Sequence, residues 1–375
     1  MACRKCTDIG TITIKKDNSY CNSCYLVYVN HKFRACIGKN KVIIPNEKVL
    51  VGISGDMAST VLLDLIYNGI TLNSHKKLRI LPEFIVIFED ENEIVKSVID
   101  QCKSYGFNVH IMNISNYTAT YVSSADLTNI PRTSCNDLLK KIKQNALASI
   151  AKDLQCRLIF TAEPATNLAA KLLSNLVIGR GSQVENDVGF LDNRHDSVKI
   201  LRPLRDITKE ELQHYINIRG LQPVRRDFIQ DSLQSVINSF VATLEKDSPA
   251  TISTICKTAD KIGQSPVDGE GDKKCVFCKY GILESFPADL TDNLPEAFPT
   301  NQQKSCCAVY QDNRPDGVQH LRTTKTGYSF VPFAARSTNY RPPINFTLRR
   351  PRQSLGSTYR VVPFSFLTHS STLGM

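Results

Sequence analysis

The chain has 375 residues, 46 Lys and Arg against 36 Asp and Glu, a formal net charge of +10, and 42% hydrophobic residues. That length has room for two or three domains, and that composition excludes wholesale disorder. No run approaches the ~18 consecutive apolar residues of a membrane span, and Met1 to Tyr20 has no apolar run after its basic residues, so it does not read as a secretory signal. The expected compartment is cytoplasmic or nuclear, and the 13 cysteines then read as thiols and metal ligands rather than disulfides.

Charge and cysteine are both unevenly placed. Residues 1–40 carry a net +5, residues 301–375 a net +8, and the body between them a net −3. Two basic ends on a near-neutral body suit either a polyanionic partner or a pair of solvated tails. Cys3, Cys6, Cys21 and Cys24 fall in the first 24 residues, and Cys275, Cys278, Cys306 and Cys307 in the last hundred. The scattered remainder reads mostly as small buried side chains.

The N-terminal segment has a C-x2-C pair at Cys3 and Cys6, a strand-like Thr11-Ile-Thr-Ile, a turn at Asp17-Asn-Ser, and a second C-x2-C pair at Cys21 and Cys24. Two such knuckles supply four thiolates to one tetrahedral ion, the plan of a zinc ribbon. A thioredoxin-like redox pair opens a helix after a strand and does not come in duplicate. So small a unit buries little, so the metal would hold it folded. The basic stretch His31 to Lys39 then leads to the next domain, either lying on RNA phosphate or forming the end of a connecting helix.

From Lys48 the pattern is α/β. Val49 to Ile53 is a buried strand, Ser54 to Ser59 a loop, and Thr60 to Asn68 a helix stopped by Gly69. Phe84 to Phe88 is a strand, about Glu91 to Tyr105 a helix capped by Gly106, and Phe107 to Met112 a strand. A long helix starts after Ser134 as N-cap and ends near Leu154. Arg157 to Phe160 and Val198 to Leu201 are strands, and Ala165 to Leu176 is a helix between them. Thr208-Lys-Glu-Glu211 is a capping box opening a helix that ends at Gly220, and residues 228–262 read as helical. The alternation predicts a parallel, Rossmann-like sheet with helices on both faces. The expected domains are 1–40 (ribbon and basic linker), 41–262 (α/β), 263–310 (linker and partial second metal unit) and 311–375 (basic, poorly ordered tail).

In such a sheet ligands sit at the carboxyl ends of the strands. Ser54, Gly55 and Ser59 suit a backbone cradle for phosphate at a helix N-terminus, but Asp56 places a carboxylate in it. The same residues also suit a plain strand-to-helix turn.

Together the two early C-x2-C pairs, His31-Lys-Phe-Arg34, the strand ending in Ser54-Gly55, Thr133-Ser-Cys135, Gly179-Arg180-Gly181, Arg202-Pro-Leu-Arg-Asp-Ile207 and the late C-x2-C resemble the cytoplasmic tRNA 2-thiolation protein 2 family. This family lies within the PP-loop ATP pyrophosphatases, and the resemblance covers about residues 1–300. It implies a PP-loop sheet with a zinc ribbon, a catalytic PP-loop partner subunit, and a role in 2-thiolation of the wobble uridine of tRNAs for Lys, Glu and Gln in the cytoplasm. It also implies a ubiquitin-like sulfur carrier that delivers a thiocarboxylate. In active relatives ATP adenylates the uracil carbonyl and a sulfur nucleophile displaces AMP.

The chain departs from those enzymes at three places. Their Ser-Gly-Gly-x-Asp-Ser loop corresponds here to Ser54, Gly55, Asp56, Met57, Ala58 and Ser59. Cys135 approximates the first of their two cysteines, but Leu221 to Asp227 contains no second one. Thr161 to Asn167 has no histidine where they read Gly-His-Asn. These losses point to a non-catalytic subunit with a vestigial nucleotide loop, since an activated nucleophile needs a supporting constellation. Its RNA-binding candidates are Arg4, Lys5, Lys32, Arg34 and Arg180, and Arg205 is either a further contact or a structural ion pair with the adjacent Asp206. Cys275, Cys278, Cys306 and Cys307 form a candidate second metal site, its last two ligands adjacent in sequence. The competing readings are an active ATP-dependent sulfurtransferase using Cys135 and an unrelated zinc-ribbon nucleic-acid factor.

Overall fold

The computed structural model describes residues 2–15, 18–73, 77–89, 92–119, 131–178, 180–181, 184–195, 197–224, 232–262 and 360–361. A two-stranded antiparallel hairpin, β1 (Ile12–Lys15) and β2 (Asn18–Tyr20), leads directly into an 18-residue helix α1 (Asn22–Lys39). Then come β3 (Glu47–Ile53), α2 (Met57–Thr71), β4 (Ile80–Phe88), α3 (Glu93–Ser104), β5 (Val109–Asn113) and a short α4 (Ser115–Ala119). The second half has α5 (Arg132–Asp153), β6 (Leu158–Phe160), α6 (Ala165–Val177), α7 (Val184–Val188), β7 (Leu191–Asp192), β8 (Lys199–Leu201) and α8 (Lys209–Arg219). Helices α9 (Leu233–Asp247) and α10 (Pro249–Ile262) follow, with a two-residue strand β9 (Arg360–Val361).

The main sheet runs β7-β8-β6-β3-β4-β5-β9, parallel throughout except for β7 against β8. Strand β3 lies at its centre, and its side chains alternate between two cores. Val49, Val51 and Ile53 pack on the side of α1, α2 and α8, while Leu50 packs with Ile85, Ile150, Ile159 and Ile200 on the other face. A strand buried on both faces is continuously apolar, which is why the run from Val49 was legible as one. Helices α6, α7, α9 and α10 form a satellite core of their own around Leu168, Leu172, Val241 and Ile252.

Several boundaries differ from the sequence expectation. Helix α2 does not stop at Gly69 but continues to Thr71. Gly69 is there for close packing, since a Cβ would sit 3.1 Å from the Leu78 Cβ. Helix α5 begins at Arg132 with Pro131 at its N-cap, so Ser134 and Cys135 lie in its first turn rather than ahead of it. Residues 232–262 form two helices, broken at Ser248-Pro249. The basic stretch His31 to Lys39 is the C-terminal half of α1, a helix whose Tyr25, Val29 and Phe33 are buried in the main core.

A buried carboxylate ties α8 to α2. Asp64, almost fully enclosed, accepts from the Tyr215 hydroxyl at 2.6 Å, from Arg219 Nη2 at 3.0 Å and from the Tyr105 hydroxyl at 3.2 Å. Removing it strands two hydroxyls and one side of a guanidinium. Asp64→Ala is expected to lower unfolding free energy by about 3 kcal/mol in urea titration.

Candidate functional site

The N-terminal cysteines are brought together by short-range geometry. An isolated bridge between Ala2 and Ile9 and a hydrogen bond from Cys3 N to Asp8 O close the first knuckle. Gly10 lets that knuckle cross β2, because a Cβ there would lie 2.6 Å from the Ser19 Cβ. The second knuckle is the start of α1, with Cys21 at the N-cap and Cys24 in the first turn. All four Sγ atoms lie within 4.8 Å of one another, with Cys6 3.6 Å from both Cys21 and Cys24. Thiolates bound at about 2.3 Å around a tetrahedral ion stand about 3.8 Å apart, so the cluster has the size for one metal ion. Backbone N–H groups of Cys21 and Lys5 pull the Cys3 thiol down to about 6, while the neighbouring Cys21 sulfur pushes the Cys24 thiol up. Thiols this close cannot all ionise without a cation among them.

The loop after β3 has a different character. Gly55 sits at φ +79°, and a Cβ would lie 2.3 Å from Val98 Cγ2, so only glycine fits. Asp56 is the N-cap of α2, its Oδ1 accepting from Ser59 N at 2.8 Å. The Ser59 hydroxyl is buried, donating to Asp56 O at 3.1 Å and accepting from the Ser54 hydroxyl at 3.3 Å. Of Ser54, Gly55 and Ser59 only Ser54 is exposed. The helix N-terminus, worth up to about 1 kcal/mol to an anion, is therefore occupied by the chain's own carboxylate. A phosphate charge about 4 Å from that carboxylate meets about 4 kcal/mol of repulsion at an effective dielectric of about 20, and the repulsion dominates. Ala58, buried beneath the loop, offers no polar contact.

Cys135 is half-buried, and burial together with Glu89 pushes its thiol up. A neutral thiol is a weak nucleophile. Beyond β6, Glu163 joins Lys171 at 3.0 Å and Arg202 at 2.7 Å. Burial opposes its ionisation, but Lys171 and Arg202 win and hold it down to about 2. The stretch after β6 thus anchors an ion triad through Glu163, and Arg202 extends it to Asp192 at 3.7 Å. Glu163, Lys171 and Arg202 escaped the sequence reading as a group, although Arg202-Pro-Leu-Arg205 was visible as a motif.

The RNA candidates separate by environment. Arg4 and Lys5 are exposed on the first knuckle, with Arg4 Nη1 donating to Asn18 Oδ1 at 2.7 Å. Arg34 is half-buried on α1. Lys32 instead bonds Glu211 at 2.6 Å, and Arg180 is buried against Asp137 at 2.5 Å, which takes both off the open surface. Arg205 resolves as an ion pair, with Asp260 rather than Asp206, at 2.5 Å. Cys275, Cys278, Cys306 and Cys307 lie outside the described residues. A groove of about 900 Å³ runs between α1, the start of α8 and α10, and none of Ser54, Gly55, Asp56 or Ser59 lines it.

Comparison with known proteins agrees with this architecture. A PP-loop domain model matches residues 26–232, and a cytoplasmic tRNA 2-thiolation protein 2 model matches residues 232–327, past the point near 300 where the resemblance read from motifs ended. Cytoplasmic tRNA 2-thiolation protein 2 of Drosophila virilis is 32% identical over 75% of this chain and 76% of its own length. That of Anopheles gambiae is 28% identical over 74% of each. Among solved structures, the U34-tRNA thiolase NcsA from Methanococcus maripaludis, described with its [4Fe-4S] cluster, superposes with a TM-score of 0.61 at 20% identity, covering 76% of this chain and 98% of that one. No helix among the described residues is long and apolar enough to cross a membrane.

The depressed Glu163 carboxylate makes a pH prediction. Its stabilisation is complete above its ordinary value of 4.5 and disappears as pH falls toward about 2. Glu163→Gln is therefore expected to be less stable than the parent chain at neutral pH and to lose less stability between those limits, as read by denaturant midpoints across pH.

Proposed function

Because the chain belongs to the cytoplasmic tRNA 2-thiolation protein 2 family, we propose that it is the non-catalytic subunit of the cytoplasmic complex that thiolates the wobble uridine of tRNAs for Lys, Glu and Gln. The observation that carries this reading is the Asp56 carboxylate capping α2, where an adenylating enzyme needs an open anion cradle. The neutral Cys135 thiol and the Glu163 triad support it. In this reading a second PP-loop subunit binds ATP and activates the uracil carbonyl, and a ubiquitin-like carrier supplies sulfur as its thiocarboxylate. This chain contributes binding: it holds the tRNA backbone and the partner.

Zinc at Cys3, Cys6, Cys21 and Cys24 completes the unit. Four sulfurs within 4.8 Å suit a single ion, whereas a cubane cluster would spread its thiolates around four irons. A closed four-thiolate site leaves no position for substrate, so its contribution is folding. It presents the exposed Arg4 and Lys5 on a rigid knuckle, where they face phosphate.

Three measurements test this reading. The isolated chain is expected to show no saturable binding of Mg-ATP by equilibrium dialysis, and a Kd tighter than about 10 μM would support the sulfurtransferase alternative instead. Replacing both Arg4 and Lys5 with Ala is expected to weaken tRNA binding and lower the slope of log affinity against log salt by about 1.5. An unchanged slope would take the ribbon off the RNA. Binding of duplex DNA as tight as that of tRNA would favour a general nucleic-acid factor.

A further inference from the structure

Helix α1 has no cap of its own. Cys21 at its N-cap makes no side-chain capping hydrogen bond, and the first turn holds no acidic residue. What stands at this end is the sulfur cluster. Four thiolates around a divalent ion form a centre of net negative charge, which the positive end of an 18-residue helix favours. Further along, the polar contacts that join α1 to α8 converge on one residue, Glu211. Glu211 is buried, accepts from the Tyr28 hydroxyl at 2.8 Å and from Lys32 Nζ at 2.6 and 2.8 Å, and closes the α8 capping box by accepting from Thr208 N at 2.9 Å. The Tyr25 hydroxyl donates to the Glu211 carbonyl at 2.8 Å. The far end of α8 is held to α2 by Tyr215, Arg219 and Asp64.

Resting on the reading that the four cysteines hold a metal ion, we propose that metal occupancy and the α1–α8 seam are energetically coupled, with Glu211 as the positioning residue that transmits the coupling. The bound metal orders the first turn of α1. That turn sets Tyr25, Tyr28 and Lys32 against Glu211, and α8 carries the constraint to the helix that follows the PP-loop. Linkage then requires the reverse: a loosened seam weakens metal binding by the same factor. The sulfurs are untouched by a change at Glu211, so a purely local metal site would not respond.

The full-length chain with Co²⁺ as probe tests this, using thiolate-to-cobalt absorbance for affinity and hydrogen exchange for order. Cobalt is expected to slow amide exchange across residues 25–37 and 209–219 as well as in the ribbon. Glu211→Gln, which keeps an acceptor for the capping box, and Lys32→Met are each expected to weaken Co²⁺ binding about fivefold or more, and the double variant no further than the stronger single one. Absence of the absorbance band in the parent chain overturns the metal reading and the coupling with it. An intact band with unchanged affinity in both variants, and slowed exchange confined to residues 2–24, overturns the coupling alone.

Discussion

Two buried carboxylates set the position of α8, and much of the architecture follows from them. Glu211 at its start gathers α1, and Asp64 on α2 gathers its end. Neither carboxylate is left unpaired, which is the condition for burying such a charge without a large penalty. The consequence is that the four-cysteine ribbon is no tethered accessory. Its exit helix is a wall of the main core, and the sheet, α8 and α1 share one apolar interior.

Against that rigid frame, the nucleotide loop differs from an open phosphate cradle in two side chains, Asp56 and Ala58. The main-chain path remains suited to the fold, with Gly55 in the left-handed region and α2 starting directly behind it. Its electrostatics are reversed, since the helix N-terminus already holds an anion. Exchanging one backbone approach for one carboxylate changes the sign of the local field without disturbing the sheet.

The second half of the chain is organised around a network of ion pairs, in which Arg202 also reaches Asp192 and Lys141 reaches Asp187. Glu163 with Lys171 and Arg202, and Arg205 with Asp260, fasten the segments after β6 and β8 to α6 and α10, while Arg194 with Asp187 and Asp192 fastens the segment after β7 to α7. Helices α9 and α10 form a satellite core with α6, and this is where the thiolation family model takes over from the PP-loop model. The described part of that match, residues 232–262, packs on α6 and α7 at one flank of the sheet.

Periodicity and local chemistry determined a good deal without coordinates. The apolar run at Val49, the Thr208–Glu211 capping box and the paired C-x2-C knuckles each depend on neighbours a few residues away, and each appears in the fold as read. Element ends were less legible. Whether Gly69 stops α2 depends on Leu78, and where α5 begins depends on Pro131. Which cations face solvent was decided only by tertiary structure. Lys32 in its basic stretch and Arg180 between two glycines look like RNA contacts, yet Glu211 lies 179 residues from the one and Asp137 lies 43 from the other. A charge's role is set by what lies within a few ångströms of it, and pairings across such separations leave no local pattern along the chain.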